Sequence, residues 1–92
     1  MTDTSVPIRT ILVTGGSRGI GRAICEKLAA PDTHVFVNYA AASAAAEETA
    51  ELVRGAGGAA TIVKADVMQP DDVAAMFKAV LEPTGRIDVL VN

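Results

Sequence analysis

Cysteine, aromatic side chains and surplus positive charge are all scarce in this sequence, and each shortage closes off a class of protein. One cysteine, Cys25, cannot form an internal disulfide, and its place on an apolar helical stretch suits a small buried hydrophobe rather than a reactive thiol. Aromatics are 3% of a chain that is 50% hydrophobic, which leaves alanine and valine to fill most of the interior. Eight Lys and Arg against eleven Asp and Glu give a formal net charge of −3, so no basic excess attracts a nucleic-acid backbone or an acidic membrane. No apolar run approaches the roughly 20 residues of a membrane span. The opening Met1 to Pro7 lacks a cationic segment followed by an apolar core, which makes a soluble, cytoplasmic protein the expectation. Metal-ligand spacing is missing too: His34 has no partner at such spacing, and Asp71 and Asp72 suit the first turn of a helix.

What is present is an alternation of two periodicities. Arg9 to Thr14 is a β-branched run closed by glycines, as expected of a strand buried on both faces. Ile20, Ala23, Ile24 and Leu28 recur at spacings of three and four, opposite Arg22, Glu26 and Lys27, and predict a helix that stops before Pro31-Asp32. His34 to Asn38 reads as a second strand. Ser43, read as a helix cap, opens a helix through Arg54, with Glu47 and Glu48 near its positive end and Gly55-Ala56-Gly57-Gly58 as its stop. Thr61 to Ala65 is a third strand. Pro70-Asp71-Asp72 then opens a helix with the stripe Val73, Met76, Phe77, Val80 and Leu81, ended by Pro83 and Gly85. Ile87 to Val91 is the fourth strand. This order predicts an α/β, three-layer half-fold of the Rossmann type: a parallel sheet of four strands in the order 3-2-1-4 with three helices, two on one face and one on the other. Residues 1–8 are expected to be a flexible tail. Residues 9–92 are expected to form the N-terminal part of a dinucleotide-binding domain, truncated after the fourth strand.

Thr14 to Gly21, T-G-G-S-R-G-I-G, lies between the first strand and the first helix. A strand, a glycine turn and a helix start place free backbone N–H groups and a positive helix end where a diphosphate can sit. Gly15 supplies turn dihedrals closed to other residues, Gly19 a close approach of phosphate to backbone, and Gly21 a close approach of helix to sheet. A tight turn without a ligand is the plain alternative. The spacing fits G-x-x-x-G-x-G rather than G-x-G-x-x-G, and no G-K-[ST] follows, so the chain is not a P-loop protein.

At these residues the chain resembles the short-chain dehydrogenase/reductase family, whose first phosphate loop is T-G-x-x-x-G-x-G. Asp66-Val67 after the third strand matches the pair that contacts adenine in the family, and Gly85 to Asn92 matches its fourth strand and the first asparagine of N-N-A-G. S-R-G-I-G, V-N-Y and K-A-D-V are most similar to the 3-oxoacyl-[acyl-carrier-protein] reductase group. The resemblance implies a cofactor set of Gly15, Ser17, Arg18, Gly19, Ile20, Gly21, Asn38, Tyr39, Asp66, Val67 and Asn92. An acid commonly ends the second strand of NAD enzymes, where it binds the ribose and repels a 2′-phosphate. Asn38 stands there instead, and Arg18 offers a planar charged fork, so NADP (NADPH) is expected over NAD. Plain solvated surface for Arg18, a turn role for Asp66 and a capping role for Ser43 remain open at this point.

The family's proton donor is a tyrosine followed four residues later by lysine. Here the one tyrosine, Tyr39, is followed by Ser43, and the catalytic serine has no counterpart. No catalytic residue is therefore assigned, and no hydride transfer is expected from these residues alone; a small carbonyl substrate belongs only to a full-length form. Self-association is expected through the exposed edge of the fourth strand. A non-catalytic nucleotide-binding or structural module is the competing reading.

Overall fold

The computed structural model describes residues 8–92; the expected tail, apart from Ile8, lies outside the described residues. The elements run β1 (Arg9–Val13), α1 (Gly19–Leu28), β2 (Thr33–Tyr39), α2 (Ser43–Gly55), β3 (Ala59–Lys64), α3 (Pro70–Thr84) and β4 (Val89–Val91). The strands form one parallel sheet in the order β3-β2-β1-β4, as expected. Central β1 sets Leu12 beside Phe36 of β2 and Leu90 of β4.

Alternation along these strands builds two cores. Ile11, Val13, Val35 and Val37 face α1 and α2, where Cys25, Ala46 and Val53 complete a buried cluster. Leu12 and Phe36 face the other way, onto Met76 and Val80 of α3. Ile11 to Val13 of β1 are all apolar because both faces of the strand are covered there, while Thr10 adds a buried polar side chain. Burial also pushes the Cys25 thiol up to about 11, which keeps it protonated and unreactive. Among the described residues, no helix is long and apolar enough to cross a membrane.

Several local expectations change. Ser43 is the first residue of α2 rather than its cap; Ala42 precedes it, and no side chain caps the helix. Alanines and the buried Thr49 and Val53 hold α2 in place of a cap. Ile20 is 81% exposed instead of lying on the buried face of α1, because the opening turn of that helix stands at the carboxyl edge of the sheet. Leu81 is also exposed. β4 starts at Val89, two residues late, because Asp88 takes a different role: its carboxylate accepts the Thr10 N–H at 2.7 Å while its own N–H donates to the Thr10 carbonyl. The Thr10 hydrogen bond, helped by Arg86, holds the Asp88 carboxyl below the usual carboxylate range. Helix α3 passes through Pro83 and ends at Gly85, whose φ of 77° and N–H to the Leu81 carbonyl close the last turn.

Candidate functional site

The glycine loop leaves the carboxyl end of β1 and is pinned from below. The Gly15 N–H donates to Asn38 Oδ1 at 3.1 Å, and the Gly16 N–H donates to the Asn38 carbonyl at 2.9 Å. Gly15 and Gly19 both adopt φ of 65°, a region L side chains rarely enter, and the space above each is open to 4 Å. Gly21 needs its missing side chain for a different reason: a Cβ there would collide with the Gly15 carbonyl and lie 2.9 Å from the Gly16 Cα. The close approach is therefore between α1 and the loop itself, more than between α1 and the sheet. Gly16 is confined less severely and by side chains, since a Cβ would lie 3.0 Å from Val37 Cγ1 and 3.1 Å from Cys25 Sγ. Nothing in the sequence spacing marked that contact.

Helix α1 begins without a side-chain cap, after an extended Arg18. Its first-turn N–H groups and the positive end of its dipole therefore face the open glycine corner. Among the described residues, the exposed Arg18 guanidinium has no side-chain partner. Ser17 is different: its carbonyl accepts from Arg22 and from the Thr49 hydroxyl of α2, which sequence spacing did not reveal.

At the end of β2 the structure gives Asn38 another task than the expected contact with a ribose. It is 2% exposed and lies on the Phe36 side of the strand, where Nδ2 donates to the carbonyls of Ala65 at 3.1 Å and Val63 at 3.3 Å. Tyr39, one residue on, packs against the α1/α2 cluster and is only partly buried. No carboxylate occupies either place. Asp66 is exposed; Oδ1 accepts the Met68 N–H at 2.9 Å, so it does shape the turn after β3. Asp72 Oδ2 accepts the Asp66 N–H, and Val67 stands exposed beside it. Across the sheet, the Thr14 hydroxyl bonds to the Val91 carbonyl and to Asn92 Oδ1, both at 3.2 Å, tying the ends of β1 and β4 together. Thr14, Val67, Leu90 and Asn92 rim an open hollow of about 250 Å³ floored by Met76 and Phe77. Gly15, Arg18, Gly19, Tyr39, Asp66, Val67 and Asn92 thus follow strand ends or open helices along one edge of the sheet.

A central strand ending in an open glycine turn and an uncapped helix places the molecule among the α/β folds that bind dinucleotides at the carboxyl edge of the sheet. Residues 9–92 match the short chain dehydrogenase family, and the chain belongs to that family. It is 44% identical over 81 residues to the short-chain dehydrogenase/reductase homolog YusS of Bacillus subtilis (strain 168), covering 88% of this chain and 74% of that protein. It is 44% identical over 89 residues to the 3-oxoacyl-[acyl-carrier-protein] reductase of Synechocystis sp. (strain ATCC 27184 / PCC 6803 / Kazusa), covering 97% of this chain and 36% of that enzyme. Among solved structures, the angucycline C-6 ketoreductase LanV with bound NADP is 45% identical, with a TM-score of 0.77 over 89% of this chain and 34% of that one. The chain thus spans about a third of the length of these two reductases.

Proposed function

We propose that this chain is the cofactor-binding part of an NADP-dependent oxidoreductase that moves hydride between NADPH and a carbonyl or hydroxyl substrate. The observation that carries the reading is the pairing of an exposed Arg18 at the mouth of the glycine loop with a β2 end that bears no carboxylate. The open space over Gly15 and Gly19 and the uncapped start of α1 fit a diphosphate. Gly15, Ser17, Gly19, Ile20 and Gly21 would cradle it, Arg18 and Tyr39 would take the 2′-phosphate end, Asp66 and Val67 the adenine, and Asn92 the ribose side nearer the nicotinamide. When bound, the nicotinamide supplies the hydride. Asn38 contributes from behind, by holding Gly15 and Gly16 in the shape the phosphates meet.

A 3-oxoacyl thioester is the substrate class supported by similarity to the Synechocystis reductase, for a longer form carrying the proton donor. The reading also includes self-association through the open edge of β4, supported by Leu90, which is 50% exposed on that strand.

Calorimetric titration with 2′-phospho-ADP-ribose and ADP-ribose tests the NADP assignment. The phosphorylated ligand should bind the wild-type chain better, and Arg18→Ala should abolish that advantage, a cost of about 1.5–3 kcal/mol for one charged hydrogen-bonding partner. Equal affinity for the two ligands in the wild type contradicts the assignment.

A further inference from the structure

The carbonyl of Ser17 is held by two side chains. Arg22 donates to it through Nε at 3.1 Å and Nη2 at 2.8 Å, and the Thr49 hydroxyl lies 3.0 Å away. Thr49 also accepts from Arg22 Nε at 3.0 Å, and Arg22 Nη2 reaches the Ala45 carbonyl at 2.9 Å. Loop, α1 and α2 meet at this one peptide group.

Two features make this arrangement more than incidental packing. Thr49 is fully buried in the middle of an alanine-rich helix, where a β-branched hydroxyl residue is a poorer helix former than alanine. Its hydroxyl is accounted for by Ser17, Ala45 and Arg22 together. Arg22 is the second feature, because only a planar fork reaches Ser17, Ala45 and the Thr49 hydroxyl at once, which a lysine ammonium cannot do from one point. A trans peptide is flat, with its C=O and the next N–H pointing in opposite directions. Fixing the Ser17 carbonyl toward α2 therefore fixes the Arg18 N–H away from it and, with Arg18 held extended at φ −163°, sets the direction in which its side chain leaves the backbone.

We propose that Arg22 and Thr49 are paired positioning residues that hold the Ser17–Arg18 peptide for phosphate recognition, so that discrimination of the 2′-phosphate depends on α2 as well as on the glycine loop. The proposal rests on the NADP reading for its ligand, but not for the ordering of the loop. Neither residue touches the cofactor in this scheme. Glu48 is the built-in comparison: it pairs with Arg22 Nη2 at 3.0 Å but is 69% exposed, and an exposed pair of that kind contributes little.

The test compares Arg22→Lys, Thr49→Val and Glu48→Gln with the wild-type chain by backbone NMR relaxation and by titration with the two ADP-ribose ligands. Arg22→Lys keeps the charge and loses the fork; Thr49→Val keeps the volume and loses the hydroxyl. Both should lower the backbone order parameters of Arg18 and Gly19 from the rigid range of about 0.85 to below about 0.6, while those of Ile11 to Val13 stay unchanged. Both should weaken 2′-phospho-ADP-ribose about tenfold while weakening ADP-ribose by less than about threefold. Glu48→Gln should change neither measurement. Unaltered order parameters at Arg18 and Gly19 overturn the proposal, as does an equal loss of both ligands, which is the signature of general destabilisation. A wild-type chain with no preference for the phosphate refutes the NADP reading instead, and the order parameters of Arg18 and Gly19 then decide the clamp by themselves.

Discussion

Asn38 is the residue on which the glycine loop leans. Its side chain accepts one N–H from the loop and donates to two carbonyls near the end of β3, so three chain segments share one buried amide. Asn38→Asp keeps the shape but exchanges two donated hydrogen bonds for a buried negative charge facing carbonyl oxygens. We predict a loss of about 3 kcal/mol or more in urea denaturation, against a change below about 0.5 kcal/mol if the side chain were solvated. The residue also marks where the sequence misleads. Strand side chains alternate, so an error of one position moves a residue to the opposite face. V-N-Y identifies the end of β2, but only the register of the sheet decides that Asn38 turns inward and Tyr39 toward α1 and α2. The exposure of Arg18 follows from its place before Gly19, between the glycine turn and the start of α1. Arg22 and Thr49 were not legible, because residues 27 positions apart meet through packing that no local pattern encodes.

At the scale of elements, α1 and the loop behave as one piece. Alanine in place of glycine inside an exposed helix ordinarily stabilises it by about 1 kcal/mol. At Gly21 the added methyl meets the backbone of Gly15 and Gly16, which has no side-chain freedom to yield. Gly21→Ala should therefore destabilise the chain by about 1–3 kcal/mol in thermal unfolding, reversing the usual sign. A gain in stability would mean that α1 sits farther from the loop than described. The elements themselves were readable from period and punctuation: buried strands as short apolar runs, α3 from Pro70 at its start and Gly85 at its end. Their margins were not. Asp88 belongs to a hydrogen-bonded exchange with Thr10 across the sheet, and Ile20 to an uncovered first turn, and both depend on what lies next to them in space.

The whole molecule is an asymmetric sandwich: two helices cover one face of the sheet and one covers the other. Leu90 on β4 and the hollow beside Met76 and Phe77 are left to solvent, next to a strand whose outer edge pairs with nothing among the described residues. Sedimentation velocity should reveal concentration-dependent association, weakened by Leu90→Lys, because a charge on an edge strand opposes pairing. A monomer at high concentration in the wild type contradicts that expectation. At the carboxyl end of the strands, open backbone at Gly15 and Gly19 meets the start of α1 and offers the berth for a diphosphate proposed above. The most direct test of that proposal is NMR shift mapping of the 92-residue chain during titration with 2′-phospho-ADP-ribose. The largest perturbations should fall at the amides of Gly15 to Gly21, with smaller ones at Tyr39, Asp66 and Val67. Perturbations centred instead on Thr10, His34 and Arg86, at the opposite end of the sheet, would contradict it.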